Sequence, residues 1–100
     1  MNITRYKHHH KILVAVDCII FGFDGHTLKA LLIKRGFEPE KGKWSLMGGF
    51  VNKDESAEDA ASRVLFQLTG IHDIYMEQLS IFSEIDRDPA GRVISIAYFA

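Results

Sequence analysis

The stretch that decides the fold runs from Gly49 to Ile71 and reads GFVNKDESAEDAASRVLFQLTGI. Its centre has the pattern of a helix. Ser56 is followed three residues later by Asp59, which approximates a capping box, where each side chain satisfies a free backbone N–H of the first turn. Asp54, Glu55, Glu58 and Asp59 crowd the amino end, where aligned peptide dipoles favour negative charge. Ala57, Ala60, Ala61, Val64, Leu65 and Leu68 recur at spacings of three and four and form one apolar stripe. Gly70 follows as a natural stop, because glycine readily adopts the left-handed conformation that ends a helix.

Outward from this helix the pattern changes to strands. Ile12 to Phe23 is a long run of β-branched and aromatic residues, expected as one strand covered on both faces. Asp24-Gly25 supplies a turn and Leu28 to Lys34 returns, so the two runs predict a β-hairpin. Arg35 to Lys43 is polar, contains Pro39 and Gly42, and reads as a loop. Trp44 to Val51 (WSLMGGFV) predicts a brief strand broken by a sharp glycine turn. Beyond the helix, Tyr75 to Phe82 and Arg92 to Ala100 predict two more strands, joined through Asp88-Pro89-Ala90-Gly91. The order is strand, strand, loop, helix, strand, strand. That is an α+β (mixed α/β) layout with the helix against a sheet, in one domain spanning residues 1–100.

Composition narrows the function classes. With 47% hydrophobic and 25% charged residues, the 100-residue chain has a globular balance and is neither disordered nor of low complexity. Twelve Lys and Arg against thirteen Asp and Glu leave a net charge of −1, so these residues lack the basic field that grips a phosphate backbone. No apolar run approaches the roughly 20 residues that span a bilayer, which speaks against a membrane partner. The opening MNITRYKHHHK lacks the apolar centre of a signal peptide. His8, His9 and His10 read as a solvated entry segment before a metal cluster. Cys18 is the single cysteine, has no cation beside it, and is expected as a buried inert thiol in a reducing cytoplasm. RVISIAYFA stops inside an apolar strand, from which the chain is expected to be the front part of a longer polypeptide.

The spacing Gly49, five residues, Glu55, seven residues, Arg63, then Gly70 and Ile71 resembles the Nudix box, the loop–helix–loop signature of the Nudix hydrolases. The preceding GKWSLMGG resembles the family's approach to that box. The resemblance implies the Nudix fold, a mixed sheet sandwiched between helices. It also implies that active members carry glutamates at the positions held here by Val64, Gln67 and Leu68. Those positions relate as i, i+3 and i+4 on one helical side, and three carboxylates there would cradle Mg²⁺ or Mn²⁺. Hydrocarbon and a neutral amide cannot do so, so the expectation is a degenerate box, with no metal, no cofactor and no enzyme activity. Gly49 would then permit a turn, Arg63 would pair with Glu55 or its neighbours, and Gly70 would end the helix. The alternative is an active hydrolase of ADP-ribose pyrophosphatase type, using unconventional ligands such as Glu55, Glu58 and Glu84.

IFSEIDRDPAGRVISIAYFA resembles the segment after the box in Nudix-related transcriptional regulators, through Arg87-Asp88-Pro89, Gly91-Arg92-Val93 and Ser95 to Tyr98. VAVDCIIF is similar to their first strand. This implies a repressor's effector-binding domain, a homodimer, and operator DNA bound by a winged helix-turn-helix domain beyond residue 100. The effector would be a small molecule, either a sugar such as arabinose or a nucleotide-sugar such as ADP-ribose. The sugar is favoured because the acids at the helix start repel an anion. Three ligand contacts are candidates. Asp17 is an acid within VAVDCII that either meets ligand or is satisfied by backbone or a lysine. Trp44 is read as core before a stacking wall, and Arg87 as a ligand contact or an ion-pair partner.

Overall fold

The computed structural model describes residues 3–34, 42, 44–85 and 91–100. A 3₁₀ helix at Ile3–His8 precedes β1 (Leu13–Ile19), β2 (Phe21–Phe23), β3 (Leu28–Ala30), β4 (Ile33–Lys34), β5 (Trp44–Ser45) and β6 (Met47–Phe50). Then come the helix α1 (Ala57–Thr69) and the strands β7 (Glu77–Phe82) and β8 (Val93–Phe99). The main sheet has the order β6-β1-β8-β7. β1 runs parallel to β8, while β6 and β7 are antiparallel to their neighbours, so the sheet is mixed and the α+β expectation holds.

The long apolar run does not stay one strand. β1 ends at Ile19, and the chain re-pairs as the short β2–β3 hairpin, with the Leu31 N–H donating to the Ile20 carbonyl at 2.8 Å. All three residues of β2 are exposed, so coverage on both faces fails there. The turn follows its sequence: Asp24 Oδ1 accepts from the backbone of His26 and Thr27, and Gly25 takes φ 95°. The expected second strand splits into β3 and β4, and the third into β5 and β6. The Arg35–Lys43 loop and the Asp88–Gly91 turn fall mostly outside the described residues.

α1 forms as its ends dictate. The Asp59 N–H donates to Ser56 Oγ at 3.1 Å, and the Ser56 N–H donates to Asp59 Oδ2 at 3.4 Å, completing the capping box. Gly70 closes the helix in the left-handed region, its N–H donating to the Phe66 carbonyl at 2.8 Å. The helix covers β1 and β6. Ala60, Ala61, Val64 and Leu65 pack on Val16, Cys18, Met47 and Tyr98 to form the core. Leu68 lies outside this stripe and is 45% exposed. No helix among the described residues is long and apolar enough to cross a membrane.

Candidate functional site

Chemistry gathers where the chain enters α1. Arg63 Nη2 donates to Glu55 Oε1 at 2.8 Å and Arg63 Nε donates to Oε2 at 3.1 Å, a two-pronged pair. The Asn52 N–H donates to Glu55 Oε1 at 2.9 Å. The same guanidinium donates to the Phe50 carbonyl at 2.7 Å and to Gln67 Oε1 at 3.2 Å. One planar cation thus ties the end of β6, the entry loop and the helix, a task suited to arginine's rigid fork of donors. Hydrogen bonds from Arg63, then from Asn52, hold the Glu55 carboxyl below its usual range. Glu55 in turn keeps Arg63 more firmly protonated. The expected pairing of Arg63 with Glu55 is present. Gln67 joins it at i, i+4, a spacing legible in the sequence but not read from it.

Gly49 has a different task from the turn expected of it. It lies within β6, and a Cβ there would come within 2.7 Å of Val64 Cγ2. The missing side chain lets α1 sit close to the sheet. Val64 is accordingly a core residue, 3% exposed, while Gln67 and Leu68 are exposed. The three positions share one side of the continuous helix, as their spacing requires, but differ in burial: Val64 lies under the sheet, while Gln67 and Leu68 reach solvent. These residues do not fit a divalent cation. Val64 and Leu68 offer no oxygen, Gln67 accepts from Arg63, and Glu55 is already engaged. Among the described residues no three His, Cys, Asp or Glu gather to hold a metal, so Glu55, Glu58 and Glu84 do not form the unconventional ligand set.

The candidate ligand contacts are not assembled at this junction. Asp17 lies in β1 opposite Gly48, on the sheet face away from α1, where a Cβ on Gly48 would meet Asp17 Oδ1 at 2.7 Å. Trp44 is 67% exposed, which corrects its reading as core: among the described residues β5 pairs with β4 alone, outside the main sheet that α1 covers. Arg87 lies outside the described residues. Cys18 is the expected buried thiol. Its Sγ donates to the Ala61 carbonyl, and burial, helped by the Asp17 charge, pushes its pKa up to about 11. Sequence reasoning missed Tyr98, a buried phenol hydrogen-bonded to Glu58 and raised by burial first and that carboxylate second. The two lie forty residues apart, and no local spacing signals their meeting.

Comparison with known proteins supplies the wider setting. A family model described as NUDIX domain matches residues 11–100. The ADPR responsive transcriptional repressor NtrR of Acinetobacter baylyi is 40% identical over 90 residues, covering 88% of this chain and 36% of the repressor. An ADP-ribose pyrophosphatase of Methanocaldococcus jannaschii is 39% identical, covering 97% of this chain and 55% of that protein. The chain thus spans between about a third and a little over half of these relatives' lengths. The NUDIX domain of Shewanella oneidensis NrtR, solved with ADP ribose, superimposes with a TM-score of 0.83 at 32% identity, covering 100% of this chain and 70% of that one. The expectation that the chain is no enzyme is overturned by the pyrophosphatase relative, to which 97% of this chain aligns. Replacing three ligands on one helix removes one way of holding a cation. The preference for arabinose likewise gives way, since the repressor responds to ADP-ribose, the pyrophosphatase is named for it, and the NrtR domain was solved with it.

Proposed function

The chain belongs to the NUDIX domain family, and from that premise we propose that it recognises ADP-ribose as the effector-binding part of a transcriptional regulator. The observation that carries the reading is that a repressor, a pyrophosphatase and a liganded domain, all similar to this chain, share that one small molecule. Of the four acids at the helix start, Glu55 is neutralised by Arg63, which lowers the local negative charge that a diphosphate would meet. The Glu55–Arg63–Gln67 network fixes the loop after Gly49, and Gly70 fixes the helix end, so the ligand meets a rigid frame. The exposed indole of Trp44 suits stacking on the adenine ring, with Asp17 and Arg87 as further contacts.

In this reading operator DNA is bound by a winged helix-turn-helix domain beyond residue 100, in a homodimer. The near-neutral charge of the chain supports assigning DNA binding elsewhere. Titration calorimetry of the chain with ADP-ribose and with arabinose tests the central claim. Saturable heat from ADP-ribose alone is expected, and Trp44→Ala is expected to weaken it about tenfold, the scale of one lost stacking contact. Arabinose heat without ADP-ribose heat would end the reading. The pyrophosphatase relative favours a second reading, in which water cleaves the diphosphate to AMP and ribose 5-phosphate. Chromatographic detection of both products, abolished by Glu55→Gln, would establish it.

A further inference from the structure

A groove runs along α1 beside the loop network, with Arg63 at its border. One wall is the helix face of Glu58, Ser62 and Phe66, spaced i, i+4, i+8 and hence about 12 Å long. The other wall is the irregular segment 71–76 that follows Gly70. Two adjoining hollows, of about 350 Å³ and about 200 Å³, share Ser62 and Ile74. Together they reach the size that accepts a small organic molecule.

The lining has a definite chemistry. At one end, the buried Tyr98 phenol hydrogen-bonds Glu58 and holds its carboxylate in place. At the other, His72 Nδ1 lies 2.8 Å from Asp73 Oδ2, and the His72 ring meets Phe66 at 73° with centroids 5.9 Å apart. Asp73 holds φ 59°, a left-handed conformation that aspartate adopts more readily than most residues and that turns the chain after Gly70. Between the ends, the Ser62 hydroxyl has no hydrogen-bond partner among the described residues. Ile74 and Met76 supply hydrocarbon, and Tyr75 stands 82% exposed at the rim. Arg63 borders the larger hollow, but its guanidinium is engaged by Glu55, the Phe50 carbonyl and Gln67. Glu58 thus borders the groove with no unengaged cation among the described residues, while the largely exposed Asp73 carboxylate pairs with His72 at its far end. An anion is repelled there. A cation with an apolar body is matched at its head by charge and along its length by aromatic faces.

We propose that this groove binds an organic ammonium ion with an aromatic or aliphatic body, separate from and independent of the ADP-ribose reading. The ammonium is held by Glu58 and the Ser62 hydroxyl, and the body lies over Ile74 toward Phe66 and Asp73. The test is an NMR titration of the ¹⁵N-labelled chain with 2-phenylethylamine, using 3-phenylpropionate as the charge-inverted control. Saturable shifts are expected at amides of 58–66 and 71–76 with the amine only. Glu58→Gln is expected to weaken binding about tenfold, the effect of one lost charge-assisted contact, and Asp73→Asn by less. Unchanged spectra of both variants without ligand will show that the fold is kept. Equal binding of amine and acid, absence of saturable shifts, or indifference to both substitutions overturns the proposal.

Discussion

The junction from Asn52 to Gly70 and the hairpin from Phe21 to Ala30 are held in opposite ways. The junction is tied by contacts between distant residues: Arg63 to Phe50, Cys18 to Ala61, and Val64 seated over Gly49. The hairpin is held by three residue pairs and a local turn and is anchored only at its base, where the Phe21 N–H donates to the Ala100 carbonyl at 3.0 Å and the Phe21 ring meets Phe99 among the described residues; its tip leaves Phe23 and Leu28 exposed at 71% and 64%. A two-stranded ribbon with bare side chains adds little to global stability, whereas a helix locked to a sheet opens only with the whole fold. Side chains built on the junction are therefore held more rigidly than those at the tip of the hairpin.

Four perturbations grade this contrast. Val64→Glu should be the most severe, because a charge placed in the seam has no partner; a loss of about 3 kcal/mol or more is expected in urea unfolding. A value under 1 kcal/mol would mean the seam is open to water. Gly49→Ala should cost about 1–3 kcal/mol through overpacking. Adding Val64→Ala removes the clashing methyl, so the double variant should lose less than the sum of the singles. Strict additivity would show that the two positions do not touch.

Glu55→Gln tests the electrostatic tie. Because the folded carboxyl is held below its ordinary value of 4.5, its contribution is fully present above that pH and is lost as pH falls through the lower folded value. The variant should therefore be less stable than the parent at pH 7, with the gap closing below about pH 4. A gap that persists at pH 2 would assign the loss to packing instead. Phe23→Ser should be smallest, within about 0.5 kcal/mol, as for other exposed positions. A larger loss would erase the contrast between the two regions.

What the sequence disclosed follows the same divide. The capping box, the Gly70 stop and the Asp24-Gly25 turn are local: each is fixed by residues two to four apart, and each is present. The Glu55–Arg63 pair was legible through its spacing across the helix entry. The purpose of Gly49 was not, because its neighbour Val64 arrives from another element. Trp44 was misread since aromatic content argues for burial, while burial depends on what lies above a strand. Leu68 kept the helical period yet fell beyond the area β1 and β6 cover.

The sealed thiol of Cys18 makes the natural chain nearly blank to maleimide reagents at neutral pH. A cysteine introduced at the rim, in place of Tyr75, would then carry a fluorophore or spin label alone, without first engineering the native sulfur away. Two such reporters, at Tyr75 and at Phe23, would turn the stiffness difference across the molecule into a spectroscopic distance distribution.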